Sequence, residues 1–340
     1  MAMIAIEKVN RQVRLVARPQ GEPTAAHFRV DRTPLPEPGP GQVVVRNLYA
    51  SIDPAMRGWV RGQTYVEPVP LDGVMRAITV GRVVTSRADD LPVGAAVTGL
   101  LGLQDYAVTT RSAVELVDER AAPLRAYCGG LGMTGQTAYF GTVEVARPQA
   151  GETVLVSSAA GATGSVAGQI ARVMGCRAVG IAGGAAKCGL LVRELGFDAA
   201  IDYTTDDLDE AIAAACPDGV DVYFDNVGGP TLDAALLHLN RGARVVVCGA
   251  ISQTGERPAP GPRNLIQLAF KHARMEGFVV FEYRDRFPEA TAQLARWLAD
   301  GRLKLADHVE AGLERFPEVL GQLFRGDKIG KLVLQIGEDR

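Results

Sequence analysis

The sequence contains no cysteine pair. Its 340 residues hold five cysteines, Cys128, Cys176, Cys188, Cys216 and Cys248, widely spaced and never as CxxC. That spacing argues against a disulfide framework and against a four-cysteine zinc lobe. Only four histidines occur (His27, His238, His272 and His308), without metal-ligand spacing, so no metal is expected. An excess of one charge is also missing. Lys and Arg number 36 against 39 Asp and Glu, a net charge of −3, which argues against a general nucleic-acid or anionic-membrane binder. No apolar run is long enough to span a bilayer. The apolar start Met1–Ile6 stops at Glu7 and Lys8, too short for a signal peptide. A cytoplasmic, reducing setting is the expectation.

What is present is globular in kind: 47% hydrophobic and 22% charged residues. The length predicts two domains. Proline and glycine divide the chain, since residues 1–125 carry 11 of the 19 prolines but 10 of the 39 glycines. Short β-branched runs there (Gln12–Ala17, Gln42–Ala50, Val80–Thr85, Ala95–Leu101 and Tyr106–Thr109) predict antiparallel sheet or a small barrel. From about residue 128 strands alternate with helices. Strands are expected at 153–157, 177–181, 199–201, 220–224 and 243–248. Helices are expected at 165–174, 186–195, 208–215 and 231–239. That alternation predicts βαβ units on a parallel sheet. Further helical patterns cover Arg263–Ala273 and Pro288–Asp300, and Lys331–Ile336 is strand-like.

The most informative local pattern is Val154-Leu-Val-Ser-Ser-Ala-Ala-Gly-Ala-Thr-Gly-Ser-Val-Ala-Gly168. A strand enters Gly161-Ala162-Thr163-Gly164 and Gly168, then an apolar helix. The spacing departs from GxGxxG, but the physics is shared: glycine lets backbone turn and approach a diphosphate, and a helix N-terminus favours an anion. The plain alternative is a strand–turn–helix that uses small residues for packing. About 20 residues on, where an NAD site carries an acid, the chain reads Ile181-Ala-Gly-Gly184 and then Lys187. A missing carboxylate with a following lysine favours NADPH. A solvated helix-start lysine is the alternative.

Longer motifs carry a family resemblance over nearly the whole chain. They are Ser51-Ile-Asp-Pro-Ala-Met-Arg-Gly58, Leu131–Gly141, Ser157–Gly168, Gly196–Tyr203, Val220-Asp-Val-Tyr-Phe-Asp-Asn-Val-Gly-Gly229, Cys248–Gln253, Met275–Val280 and Gly326-Asp-Lys-Ile-Gly-Lys331. In this order the chain resembles the zinc-independent medium-chain dehydrogenases/reductases. Within them it is similar to the prostaglandin reductase, leukotriene dehydrogenase and alkenal double-bond reductase family. The resemblance implies an α/β chain with a Rossmann-type parallel-sheet domain at 128–304. It also implies a discontinuous GroES-like β-barrel catalytic domain at 1–127 and 305–340. It implies a homodimer and NADPH as cofactor.

By the same resemblance, Gly161, Ala162, Thr163 and Gly164 face the diphosphate, and Lys187 and Tyr203 hold its 2′-phosphate and adenine side. Asn226, Cys248, Gly249, Ile251 and Ser252 line the cofactor, Phe278, Val279 and Val280 flank the nicotinamide, and Lys328 is a further contact. Each has a plain alternative: Tyr203 as a strand-end aromatic, Asn226 as a turn residue, Phe278 as core, Cys248 as a small buried residue. Tyr65, with Leu100 and Leu101, matches the substrate pocket. A neutral phenol suits Tyr65 as donor to a developing enolate oxygen, a pocket-wall aromatic being the alternative.

Three departures mark this chain. Thr254 stands where many relatives have tyrosine, Ala55 replaces a tyrosine, and Lys328 replaces the asparagine of an Asn-x-Gly-Lys motif. The activity implied is NADPH-dependent reduction of the C=C bond of small apolar enones and enals, a CH–CH oxidoreductase. The alternatives are a quinone reductase and a weakly catalytic NADPH-binding regulator.

Overall fold

The computed structural model describes residues 9–62, 64, 66–253 and 260–338. The chain forms two compact units, Met1–Gly129 with Asp307–Arg340, and Gly130–Ala306.

The first unit is built on a seven-stranded, mostly antiparallel sheet. Its strands run in the order Asp307–Ala311, Lys331–Gln335, Gln42–Ser51, Thr79–Ser86, Ala96–Gly99 and Val114–Leu116, with Tyr106–Thr110 also paired to Gln42–Ser51. Gln42–Ser51 is the hub because its ten residues carry two inward-facing sets, Val43, Val45 and Val44, Leu48, all buried. Val9–Leu15 and Phe28–Pro34 form a separate antiparallel hairpin. Pro34 ends that pair, where no ladder donor is needed. Leu15, Ile52, Met56, Phe316 and Leu332 pack in one apolar core.

Two motif segments meet inside this unit. Lys331 is 3% exposed, and its Nζ donates to the Ile52 carbonyl at 2.7 Å and to Asp53 Oδ1 at 2.8 Å. Ser51 Oγ donates to the other oxygen of Asp53 at 2.5 Å.

The second unit carries the parallel sheet: β1 (Thr153–Val156), β2 (Arg177–Ala182), β3 (Ala199–Asp202), β4 (Val220–Asp225), β5 (Leu239–Val247) and β6 (Arg274–Gly277). The order is β3-β2-β1-β4-β5-β6. It reverses between β1 and β4, which is where doubly wound sheets open a ligand crevice at their carboxyl ends. Helices α1 (Ala162–Val173), α2 (Ala185–Arg193), α3 (Leu208–Ala215) and α4 (Gly229–Leu237) connect the strands. Leu155, Val179, Ile201, Tyr223 and Val245 belong to one buried core. β1 and residues 178–182 of β2 carry no charged side chain, as expected of strands covered on both faces.

Several boundaries differ from expectation. The helix expected over Arg263–Ala273 is confined to Ile266–Phe270, and Arg274 already opens β6. β5 begins at Leu239 rather than Ala243, so α4 ends at Leu237. Helices at Ala55–Arg61, Met133–Phe140 and Phe316–Arg325, and strands at Phe28–Pro34 and Asp307–Ala311, go beyond the sequence reading.

Candidate functional site

The site in the second unit is assembled from three turns at the carboxyl ends of β2, β1 and β4. The turn after β1 holds Ser158 at φ +50°, left-handed for a non-glycine residue. It delivers the chain to Gly161, the N-cap of α1, and no side chain caps that helix. Ala162 and Thr163 in the first turn are half-buried. A glycine N-cap followed by backbone N–H groups fits an anion such as a diphosphate. The glycines further along have a packing reason. A Cβ on Gly164 would lie 2.4 Å from the Ser158 carbonyl oxygen, and one on Gly168 2.0 Å from Cζ of Phe197. Gly164 admits the turn and Gly168 admits the ring, so their bareness serves helix–sheet contact.

The turn after β2 leads into the helix that carries Lys187, and Tyr203, which follows β3, lays its ring against Gly183 of that turn. Gly184 (φ +89°) is the N-cap of α2, and Lys187 is the third residue of that helix, half-buried. Tyr203 is 55% exposed, and its ring lies so close to Gly183 that a Cβ there would come within 2.9 Å of it. No carboxylate ends β2. The nearest acid, Asp202 at the end of β3, accepts from Gly184 N at 2.8 Å, Thr204 N at 3.1 Å and Thr204 Oγ1 at 2.6 Å. The Thr204 hydroxyl, then the backbone donors, hold the Asp202 carboxyl below its ordinary range. Those donors tie Asp202 into the turn.

The turn after β4 is the most heavily bonded part. Asp225 is 1% exposed. Its Oδ1 accepts from Ser157 Oγ (3.0 Å), Tyr223 Oη (2.9 Å), Val227 N (2.9 Å) and Gly228 N (3.0 Å). Burial pushes the Tyr223 phenol well above its ordinary value, so it remains a donor. Asn226 gives its backbone N–H to Ser157 Oγ and its side-chain amide to the Ser157 carbonyl, both at 2.8 Å. The Asn226 amide nitrogen therefore serves the fold, leaving Oδ1 for a ligand.

The Cys248–Ser252 loop is laced to the same turn. Cys248 N and Gly249 N donate to the Asp225 carbonyl, Ile251 N to that of Asn226, and Ser252 N and Oγ to that of Val227. Cys248 is half-buried, and desolvation pushes its thiol up to about 12, making it an inert wall. Ser157, Tyr223 and Asp225 were not singled out from the sequence. An acid closing the strand Val220–Asp225 was the available clue.

The remaining candidates are dispersed. Phe278 and Val279 are half-buried and Val280 is buried. The Phe278 ring sits against Gly141, where a Cβ would approach it to 2.8 Å. In the first unit Lys328 Nζ donates to the Gly330 carbonyl at 2.8 Å. Leu100 is 57% exposed, while Leu101 is buried among Val43, Val97 and Val114. Tyr65 and Thr254 lie outside the described residues. His27 closes a capping box with Thr24.

Comparison with known proteins decides the family. Residues 11–117 match the N-terminal domain of oxidoreductase, and residues 162–296 match the model described as zinc-binding dehydrogenase. The NADPH-dependent curcumin reductase of Escherichia coli (strain K12) is 39% identical over 339 residues, covering 97% of this chain and 98% of that protein. The chain belongs to the zinc-independent medium-chain dehydrogenase/reductase family. The NADP(+)-dependent 2-alkenal reductase of Nicotiana tabacum is 38% identical over 344 residues, with 99% and 100% covered. The crystal structure of CurA in complex with NADPH from Vibrio vulnificus superimposes with a TM-score of 0.91 at 38% identity, covering 97% of this chain and 100% of that one. Among the described residues no group of three His, Cys, Asp or Glu could hold a metal ion, and no helix is long and apolar enough to cross a membrane.

Proposed function

We propose that this protein is an NADPH-dependent reductase of the C=C bond of α,β-unsaturated ketones and aldehydes. The observation that carries the reading is the turn after β2. The Lys187 helix follows it, the Tyr203 ring lies against its Gly183, no carboxylate ends the strand, and Oδ1 of Asp202 is taken by backbone and threonine donors. That arrangement suits a 2′-phosphate and disfavours a bare 2′-hydroxyl partner. The names of the curcumin and alkenal reductases support the same chemistry.

When bound, NADPH would supply the hydride that reaches the β-carbon of the substrate, and a proton then goes to the α-carbon of the enolate to give the saturated carbonyl. The chain's part is to hold and to polarise. Gly161, Ala162, Thr163 and Gly164 present backbone to the diphosphate. Lys187 supplies a point charge, and Tyr203 an aromatic wall. Asn226, Cys248, Gly249, Ile251, Ser252, Phe278, Val279 and Val280 shape the remaining contacts, and Lys328 adds a cation. Tyr65 is assigned as donor to the enolate oxygen, with Leu100 and Leu101 as apolar pocket. The unit comprising residues 1–129 and 307–340 takes the substrate role, and two copies associate as a homodimer.

The test is NADPH oxidation across enals, enones and quinones with products identified by mass. A saturated carbonyl is expected from the enals and enones. Hydroquinone formation alone, with enones untouched, would overturn the reading.

A further inference from the structure

Resting on the nucleotide reading above, we propose that the buried carboxylate of Asp225 biases the site toward the oxidised cofactor and so favours hydride donation. A dinucleotide is two nucleotides joined by a diphosphate. The strand order β2-β1-β4 puts the Lys187–Tyr203 turn on one side of the β1–α1 diphosphate turn and Asp225 on the other. With the adenosine half over β2, the nicotinamide half falls to β4. Asp225 ends β4 and is almost fully buried.

No Lys, Arg or His pairs with this carboxylate among the described residues; its partners are the hydroxyls of Ser157 and Tyr223 and the N–H groups of Val227 and Gly228. Neutral donors solvate a charge without cancelling it. Loss of a hydride turns the neutral nicotinamide ring into a cation. A net negative charge held in a low-dielectric interior beneath that half stabilises the cation more than the neutral ring. Asp225 touches no reacting atom in this scheme. It is a positioning residue that acts through its field and through the turn it ties together.

The geometry separates charge from scaffold. Four of the donors converge on Oδ1, whereas Oδ2 only shares Gly228 N at 3.1 Å. In Asp225→Asn, an amide oxygen at the Oδ1 position keeps all four, while the amide nitrogen takes the Oδ2 position and replaces the acceptor shared by Gly228 N with a donor. The measured quantity is the ratio Kd(NADP+)/Kd(NADPH) on the full chain, by titration calorimetry and NADPH fluorescence. In Asp225→Asn the ratio rises about tenfold, equivalent to about 1.4 kcal/mol. Ser157→Ala removes a donor bridge and keeps the charge, so the ratio does not rise.

Tyr223→Phe strips a donor from the carboxylate and lowers the ratio about twofold, a shift of a few tenths of a kcal/mol, which gives a second test if Asp225→Asn does not fold. Equal weakening of both forms in Asp225→Asn, or a raised ratio in Tyr223→Phe, would overturn the proposal while leaving NADPH binding intact. A wild-type chain that binds neither form would overturn the functional reading, and this proposal with it.

Discussion

Lys331 and Asp53 are separated by 278 positions in the chain, yet their side chains meet at 2.8 Å in the interior of one unit. The lysine side chain is 4% exposed and the aspartate 16%. Removing one member of a buried pair leaves the other uncompensated, at a cost of about 3–5 kcal/mol. Lys331→Met is expected to destabilise the unit by at least about 3 kcal/mol, measured by denaturant titration. A change below about 1 kcal/mol would show that water reaches the pair easily.

The proposed 2′-phosphate role of Lys187 makes it the residue that would distinguish the two nicotinamide cofactors. Lys187→Ala is expected to raise KM for NADPH at least about tenfold, the loss of one charge-assisted contact, and to leave KM for NADH little changed. Steady-state kinetics with both cofactors checks this. Equal losses with both would remove the 2′-phosphate role.

Tyr65 is the proposed oxygen donor. Tyr65→Phe is expected to lower kcat on an enone by about 10²-fold with a smaller effect on KM, the pattern of a bond that matters most as charge develops. An unchanged kcat would move the donor to another group.

Gly168 is required by a ring. Its added Cβ would sit 2.0 Å from Phe197, so Gly168→Ala is expected to cost about 1–3 kcal/mol by overpacking. Phe197→Leu in the same chain is expected to recover part of it. Thermal unfolding of the single and double variants measures both. A loss of NADPH affinity without loss of stability would return Gly168 to the cofactor.

The buried thiols give alkaline sensitivity. Desolvation pushes Cys176 and Cys216 up to about 11, and Cys248 up to about 12, from an ordinary 9.0. Their stability contribution is full below pH 9. It is lost as the pH rises through the folded-state values, because only the unfolded chain releases these protons readily. Stability measured between pH 8 and pH 11 is expected to fall across that window. Substituting Cys216 by Ala is expected to flatten the fall.

The parallel sheet was legible because short strands rich in apolar residues alternate with glycine turns and helices of regular length. Other elements left no such trace. Met133–Phe140 buries Gln136 along with Ala138, Tyr139 and Phe140, so it lacks a polar face to set a period. Asp307–Ala311 reads Asp-His-Val-Glu-Ala and is a strand only because it pairs in parallel with Lys331–Gln335. Tertiary pairing decides there against weak local preference. At the candidate site, Lys187, Tyr203 and Asn226 were named from motif position. The dependence of Asn226 on Ser157 and Asp225 was not, since it spans 68 and 69 residues.

The position of Lys331–Gln335 between Asp307–Ala311 and Gln42–Ser51 also sets an order of assembly. During synthesis residues 1–129 emerge before Lys331–Gln335, so their sheet at first lacks an interior strand. Residues 130–306 are contiguous and complete themselves earlier, although they are made later. The N-terminal unit therefore keeps an open strand edge until Lys331–Gln335 emerges.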